Sequence, residues 1–421
     1  MYFIIMIENY KDLAITDTRG YILNIIDKTL NAMDPENVIS RFIENNKIKF
    51  DYKRIFLIGF GKASFKMYKG IRPFIIDKLI YASIIVPEDE KTDNYNELKI
   101  LRGTHPFTSD LSVSSSVSML SGLKNLNEND LVIVLISGGG SSLFEIPEDG
   151  VKIDDIKNIS KTMMDNGADI YELNAIRSML SKVKGGKLST FLYPANVISF
   201  IISDVRNDDP SIIASGPLTA MDYKIDDVKR ISLKYLKNDE NIIKMYSKVD
   251  EKYFKKIKQY IILKNRDFLD YIYSNIDYDT VNLGSNFSGN VEELSLKLHE
   301  ILKNIYSSKK RPFYFILGGE TTVDVRGHGS GGRNQELVLR FMKNSSDYEF
   351  YTMASFGTDG IDGVSPAAGG IVDSEHKIND IESYLNKSDS YNLLIKNHGA
   401  IITGRTGNNV SDIVIGFYYN K

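Results

Sequence analysis

The residues best equipped for chemistry fall in short glycine-rich stretches, most of which follow an apolar run. Lys62 lies in Gly59-Phe60-Gly61-Lys62-Ala63-Ser64, after Ile55–Ile58. Ser137-Gly138-Gly139-Gly140-Ser141-Ser142 follows six consecutive apolar residues, Leu131–Ile136. Asp204 follows Val197–Ile202 and Ser203, and Asp359 lies in Gly357-Thr358-Asp359-Gly360, after Phe350–Ala354. The longest such stretch, Leu317–Glu336, reads L-G-G-E-T-T-V-D-V-R-G-H-G-S-G-G-R-N-Q-E. Its glycines place backbone N–H groups beside the start of a helix opened by Arg333, a natural site for an anion. Arg333 adds a planar fork suited to carboxylate or phosphate, and Lys62 a point charge for either. The glycines and hydroxyls of Ser137–Ser142 suit the oxygens of a triphosphate. Asp204 and Asp359 are placed to hold Mg²⁺ or to accept a hydroxyl proton, with helix capping and Asx-turns as the alternative use. His105, between Thr104 and Pro106, serves equally as a loop residue or a ligand contact. Glu320 could bind a metal or orient Arg333. The common theme is a polyanion with a counter-ion.

Two nucleotide motifs fail on inspection. A Walker A loop needs G-x-x-x-x-G-K-[ST], and Gly61-Lys62-Ala63 lacks both the hydroxyl and the upstream glycine. A dinucleotide fingerprint needs a third glycine where Ser64 stands and an acidic strand end about twenty residues on, where Val86-Pro87 stands instead. Hydride transfer is therefore weakly supported.

The elements that would position these residues alternate between strand and helix. Apolar periodicity predicts a helix over 17–33 and another from Asp34-Pro35. Strands are expected at Ile55–Ile58, Tyr81–Val86, Lys99–Leu101, Leu131–Ile136 and Val197–Ile202. A helix capped by Thr108 or Ser109 and a helical stretch from Ile153 to Lys184, broken near Gly167, lie among them. Tyr223–Lys258 reads as polar and helical, with strands at Tyr260–Leu263 and Thr280–Leu283 and a helix after each. The apolar run Phe313–Leu317 ends at Gly318-Gly319, and Thr321–Val325 forms a second β-type run. Strands at Phe350–Ala354, Ile371–Val372, Ala400–Ile402 and Ile413–Gly416 complete the chain. Such alternation predicts an α/β protein with mostly parallel sheets covered on both faces, ligands binding at the carboxyl ends of strands.

A length of 421 residues exceeds one core, so two domains are expected, with a soft break near residue 305. The net charge of -3 gives no reason to expect nucleic acid. The apolar opening Tyr2–Ile7 is far short of a membrane span, and a soluble cytoplasmic protein is expected. Without cysteine there are no disulfides or thiolate sites, and no two of the five histidines are spaced i,i+4 for zinc.

Taken together, these segments resemble the glycerate 2-kinase family, whose C-terminal module is called MOFRL. The segments are GFGKAS (59–64), GTHPFTSD (103–110), LISGGGSSLFE (135–145), NAIRSMLSKVKGGKLS (174–189), SDVRNDDPSIIASGP (203–217), LGGETTVDVRGHGSGGRNQE (317–336), ASFGTDGIDG (354–363) and TGRTGNNVSDI (403–413). The resemblance implies a Rossmann-like, doubly wound domain at 1–305 and a smaller mixed-sheet domain at 306–421, with the active site in the cleft between them. It implies ATP-dependent phosphorylation of D-glycerate to 2-phosphoglycerate, with ATP and Mg²⁺ or another divalent cation, and a tendency to homodimers. Neither nucleic acid nor membrane is implied as a partner. Lys62 and Arg333 match the family's basic pair and Asp204 and Asp359 its acidic residues, with Lys62, Arg333 and His105 toward the substrate. Ser137, Gly138, Gly139, Gly140, Ser141, Ser142 and Glu320 fall to the nucleotide, and Asp204 to the metal. Departures are Val364-Ser365-Pro366 where the family carries Pro-Thr-Asp, and Arg405 where it has proline. The rival readings are a hydroxypyruvate reductase-type dehydrogenase and a non-catalytic sugar-phosphate sensor.

Overall fold

A computed structural model describes residues 5–221, 223–236 and 240–420. Residues 2–4 of the apolar opening and 237–239 of the polar helical stretch lie outside the described residues. The chain forms two compact units, Pro35–Ile262 and Met1–Asp34 with Leu263–Lys421.

The Pro35–Ile262 unit is organised on a sheet of six strands: β1 (Ile55–Phe60), β2 (Leu79–Pro87), β3 (Leu98–Gly103), β4 (Leu131–Ile136), β5 (Asn196–Ile202) and β6 (Ile257–Leu263). Their order is β3-β2-β1-β4-β5-β6, and the pairs from β3 through β5 are parallel. β1 and β4 are apolar along their whole length and buried on both faces, as the uninterrupted runs predict. Helices follow the strands, among them Ser64–Ile75 after β1 and Asp110–Leu120 after β3, the latter entered through Ser109. Helices Ile153–Asp165 and Ile170–Leu180 replace the single broken stretch. Ile225–Leu236 and Glu240–Lys244 are helical as expected, but Ile257 already belongs to β6.

The other unit holds a mixed sheet: β7 (Thr280–Asn282), β8 (Phe287–Asn290), β9 (Phe313–Thr322), β10 (Glu349–Gly357), β11 (Gly369–Asp373), β12 (Ala400–Ile401) and β13 (Asp412–Asn420). β13 runs antiparallel to both β9 and β10, while β7 and β8 pair parallel to β9. The core of this unit gathers Phe313, Phe315 and Leu317 of β9 with Leu337, Val338 and Phe341 of helix Arg333–Asn344. Among the described residues, no helix is long and apolar enough to cross a membrane.

The division differs from a break near 305 in two respects, each with a physical cause. Residues 263–305 supply helix Asn265–Asn275 and strands β7 and β8, which complete the mixed sheet. The first 34 residues return to the same unit because Arg19 is fully buried against Asp373 and Glu8 donates its N–H to the Ile402 carbonyl at 2.8 Å. A buried guanidinium without its carboxylate is costly, so this contact fixes where the N-terminal segment belongs.

Gly318-Gly319 does not end a strand. β9 passes through both glycines to Thr322, so no second run begins at Thr321. Their role is close approach. A Cβ at Gly318 would sit 1.9 Å from Asn265 Oδ1, and one at Gly319 2.0 Å from the Phe287 carbonyl oxygen. Asn265 in turn donates to the carbonyls of Val410 (2.8 Å) and Asp412 (3.0 Å), holding helix Asn265–Asn275 to the start of β13. Gly318→Ala is expected to destabilise the protein by about 1–3 kcal/mol through overpacking. Thermal unfolding followed by circular dichroism checks this, and an unchanged midpoint would show that Asn265 can move aside.

Candidate active site

In the Pro35–Ile262 unit, the carboxyl ends of β1 and β4 are laced together. Ser137 N–H donates to the Phe60 carbonyl (3.2 Å), Lys62 N–H to the Gly138 carbonyl (2.9 Å), and Ala63 N–H to Ser137 Oγ (3.0 Å). Gly61, at φ +120, leaves no room for a side chain: a Cβ would lie 2.3 Å from Ser137 Oγ. Gly139, at φ +80, is approached by two side chains, since a Cβ there would be 3.0 Å from His105 Cδ2 and 3.6 Å from Lys62 Cγ. Lys62 and His105 thus meet at one turn. Within it, Gly140 N–H turns back to Ser137 and the N–H groups of Ser142 and Leu143 to Gly139, each at 3.2 Å. Among the described residues, the N–H groups of Gly138, Gly139 and Ser141 meet no acceptor. A turn of this kind presents donors to an anion.

Beside the turn lies a cavity of about 240 Å³ lined by His105, Gly139, Ser141, Ser142 and Asp204. Its wall includes two cations that sequence reasoning missed, Arg177 and Lys184. Lys184 is 2 % exposed and donates to the Ser141 carbonyl at 2.7 Å while pairing with the fully buried Glu145. Burial pushes its ammonium below the ordinary lysine value, against the pull of Glu145. Ser141 Oγ lies 3.0 Å from Ser215 Oγ, which donates to Asn174 Oδ1 at 2.9 Å. Ala214 and Ser215 hold left-handed backbone (φ 51 and 62) against this wall. The signal for Arg177 lay in N-A-I-R-S-M-L, a lone charge within an otherwise buried helix segment.

In the other unit, Gly319, Asp412 and Gly357 stand side by side on β9, β13 and β10. Asp412, also missed, takes Arg333 in a bidentate grip, Nε to Oδ2 at 2.6 Å and Nη2 to Oδ1 at 3.0 Å. Glu320 faces Arg333 Nη1 at 3.0 Å. Burial alone would lower the Arg333 guanidinium, but Asp412 first, then Glu320 and Asp362, raise it above its ordinary value. Asp359 accepts the Ile361 N–H at 3.2 Å, an Asx-type turn, and its carbonyl accepts the Thr406 N–H at 3.2 Å. Only a single acidic residue before an apolar run marked Asp412 in the sequence.

The start of helix Arg333–Asn344 was expected to offer bare N–H groups to a ligand. The structure corrects this: the protein supplies its own anion. Asp362, 2 % exposed, accepts the N–H groups of Asn334 (3.1 Å) and Gln335 (2.9 Å). Gly332 is needed for that approach, since a Cβ would fall 2.4 Å from Asp362 Oδ1. Ser365, in the segment that departs from the family pattern, accepts from Gln335 Nε2 at 2.7 Å and donates to the Asp362 carbonyl at 2.9 Å. The departure therefore buttresses Asp362.

The family described as a domain of unknown function (DUF4147) matches residues 21–246, and the MOFRL family matches residues 313–412. A glycerate 2-kinase from Picrophilus torridus is 81% identical over 416 residues, 99% of this chain and 100% of that protein. A D-glycerate 2-kinase from Thermotoga maritima is 31% identical over 430 residues, 97% of this chain and 98% of the relative. The crystal structure of a glycerate kinase from Thermotoga maritima matches with a TM-score of 0.85 at 30% identity, over 94% of this chain and 98% of that one.

Burial raises the Asp362 carboxyl to about 6, with the Asn334 and Gln335 N–H groups pulling down and Asp412 adding to the rise. A carboxyl held more tightly protonated in the folded than in the unfolded chain stabilises the fold at low pH. That contribution is lost as pH rises toward and through about 6. Asp362→Asn, which cannot ionise, should therefore gain on the parent protein by roughly 1–3 kcal/mol between pH 4 and pH 7. Paired urea denaturation curves across that range give the difference, and a constant offset would show that Asp362 does not titrate there.

Proposed function

This chain belongs to the glycerate 2-kinase family, and we propose that it transfers the γ-phosphoryl group of ATP to the C2 hydroxyl of D-glycerate, giving 2-phosphoglycerate and ADP. The hydroxyl oxygen forms the new bond to phosphorus, the bond to the ADP oxygen breaks, and the hydroxyl proton leaves. The observation carrying this reading is the meeting of Lys62, His105 and the Ser137–Ser142 turn at the junction of β1 and β4. In a doubly wound sheet of this order, that junction is the switch point where nucleotides bind.

In this reading the turn receives phosphate oxygens on its N–H groups, with Ser137, Ser141 and Ser142 at its ends. Lys62 holds the glycerate carboxylate or the transferring phosphoryl group, and His105, which also approaches Gly139, contacts the substrate. Arg333, oriented by Asp412 and Glu320, supplies the second cation, and Asp359 orients or deprotonates the hydroxyl. Among the described residues, no group of three or more histidine or acidic side chains could hold a metal ion. Mg²⁺ is held chiefly by substrate phosphates with one or two carboxylates added, and Asp204 would be the carboxylate here. When bound, the cation neutralises phosphate charge.

Phosphoryl transfer is catalysed mainly by positioning and electrostatics, so Arg333→Ala should lower turnover on the order of 10³-fold at saturating substrates. Near-normal turnover would remove Arg333 from the machinery. A phosphorus NMR spectrum of the product separates 2- from 3-phosphoglycerate, and the absence of glycerate-dependent ATP consumption would overturn the reading as a whole.

A further inference from the structure

Arg177 differs in its partners from three other arginines that lie at least partly buried. Arg19 pairs with Asp373, Arg340 with Glu336 and Glu292, and Arg333 with Asp412 and Glu320. Arg177 is part-buried on helix Ile170–Leu180, and its one hydrogen bond among the described residues is from Nε to Ser160 Oγ at 3.3 Å. The carboxylate that influences it, Glu145, already holds the Lys184 ammonium. Burial lowers the Arg177 guanidinium below its ordinary value, with Glu145 pulling back only in part. An arginine stays charged even so. A partly desolvated guanidinium with one weak acceptor keeps further N–H donors for an incoming oxyanion.

What Arg177 faces is the cavity it shares with Gly139, Ser141 and Ser142 of the phosphate-binding turn. The other charged groups on that wall are Lys157, Lys184 and Asp204. Lys157 is drawn toward Asp154 at 3.5 Å and Lys184 toward Glu145, which leaves Arg177 as the wall's cation with no carboxylate partner among the described residues. A space of about 240 Å³ has room for several waters, hence for a phosphate group or a three-carbon acid.

We propose that Arg177 is a substrate-binding residue whose guanidinium fork receives an oxyanion, either a nucleotide phosphate or the glycerate carboxylate, in the cavity beside the Ser137–Ser142 turn. The proposal rests on the phosphotransfer reading of the same site and adds to it a residue and a direction of approach. Lys184 is a positioning residue in this scheme: by holding the Ser141 carbonyl and occupying Glu145, it keeps the turn in shape and the arginine uncompensated.

The test uses the full-length chain with Arg177→Met and Arg177→Lys, varying ATP and D-glycerate separately. Loss of a charge-assisted bond to an oxyanion should raise one KM by at least ~10-fold in Arg177→Met. Arg177→Lys should recover part of it, since lysine restores the charge but not the fork. A rise confined to D-glycerate identifies the carboxylate, and one confined to ATP identifies the phosphate. Thermal shifts induced by ADP and by D-glycerate, read without turnover, should weaken for the same ligand. If both KM values and both ligand-induced shifts stay at parental values, the proposal is overturned, even where kcat or intrinsic stability falls. Should Arg177→Met fail to fold, the lysine variant decides the matter by the same readouts. A parent protein that binds ADP but does not phosphorylate glycerate would instead sink the phosphotransfer reading and leave the anion site standing.

Discussion

The site in the Pro35–Ile262 unit depends on how closely two strand ends can approach. β1 and β4 are neighbours in the sheet, and the loops leaving them must share the space above their carboxyl ends. Gly61 and Ser137 settle this by contact: the missing Cβ lets the Ser137 hydroxyl reach the Ala63 N–H and the Lys62 N–H reach Gly138. Those bonds set Lys62 beside Gly139, which His105 also approaches from the loop after β3. A larger residue at 61 would prise the loops apart and separate the cation from the turn. Glycine here is a spacing device as much as a conformational one.

Buried carboxylates play the corresponding role in the mixed-sheet unit. Asp412 and Asp362 both lose most of their water, and both recover interactions from the first turn of helix Arg333–Asn344. Asp412 faces a full positive charge. Asp362 faces two N–H dipoles and two side-chain amides, which do not offset its burial, and so its proton is held more tightly. The geometry of Arg333 is therefore fixed from below by one carboxylate that grips it and from the side by another that locks its helix. Removing either would leave its partner charge or dipoles buried and unmatched, which is why the pair acts as one unit.

Much of this was legible in the sequence. Strands β1, β4 and β5 announced themselves as apolar runs, and the stretches after them hold Lys62, the Ser137–Ser142 turn and Asp204 as expected. The strand order matches the doubly wound pattern even though the dinucleotide glycine is replaced by Ser64, because order follows from connectivity and not from that residue. What the sequence hid was long-range. Gly318-Gly319 read as a strand end because the residues crowding them, Asn265 and Phe287, lie far off in the chain. The anion for the Arg333 helix read as an external ligand because Asp362, some thirty residues on, carries no local mark of burial. Asp412 and Arg177 escaped for the same reason: a lone charge in a run of apolar residues has meaning only once its partners, or their absence, are known.

The two arginines differ in how their partners leave them able to meet an anion. Arg333 is pre-paired, its fork largely occupied by Asp412 and one further nitrogen turned to Glu320, so an incoming anion must share it or displace the half-exposed Glu320. Such a cation is already oriented and gains little from ground-state binding, a property suited to charge that grows during transfer. Arg177 is under-paired, so its largest gain comes when an anion first arrives. The pairing pattern, not the residue type, sets which of these two responses an arginine gives.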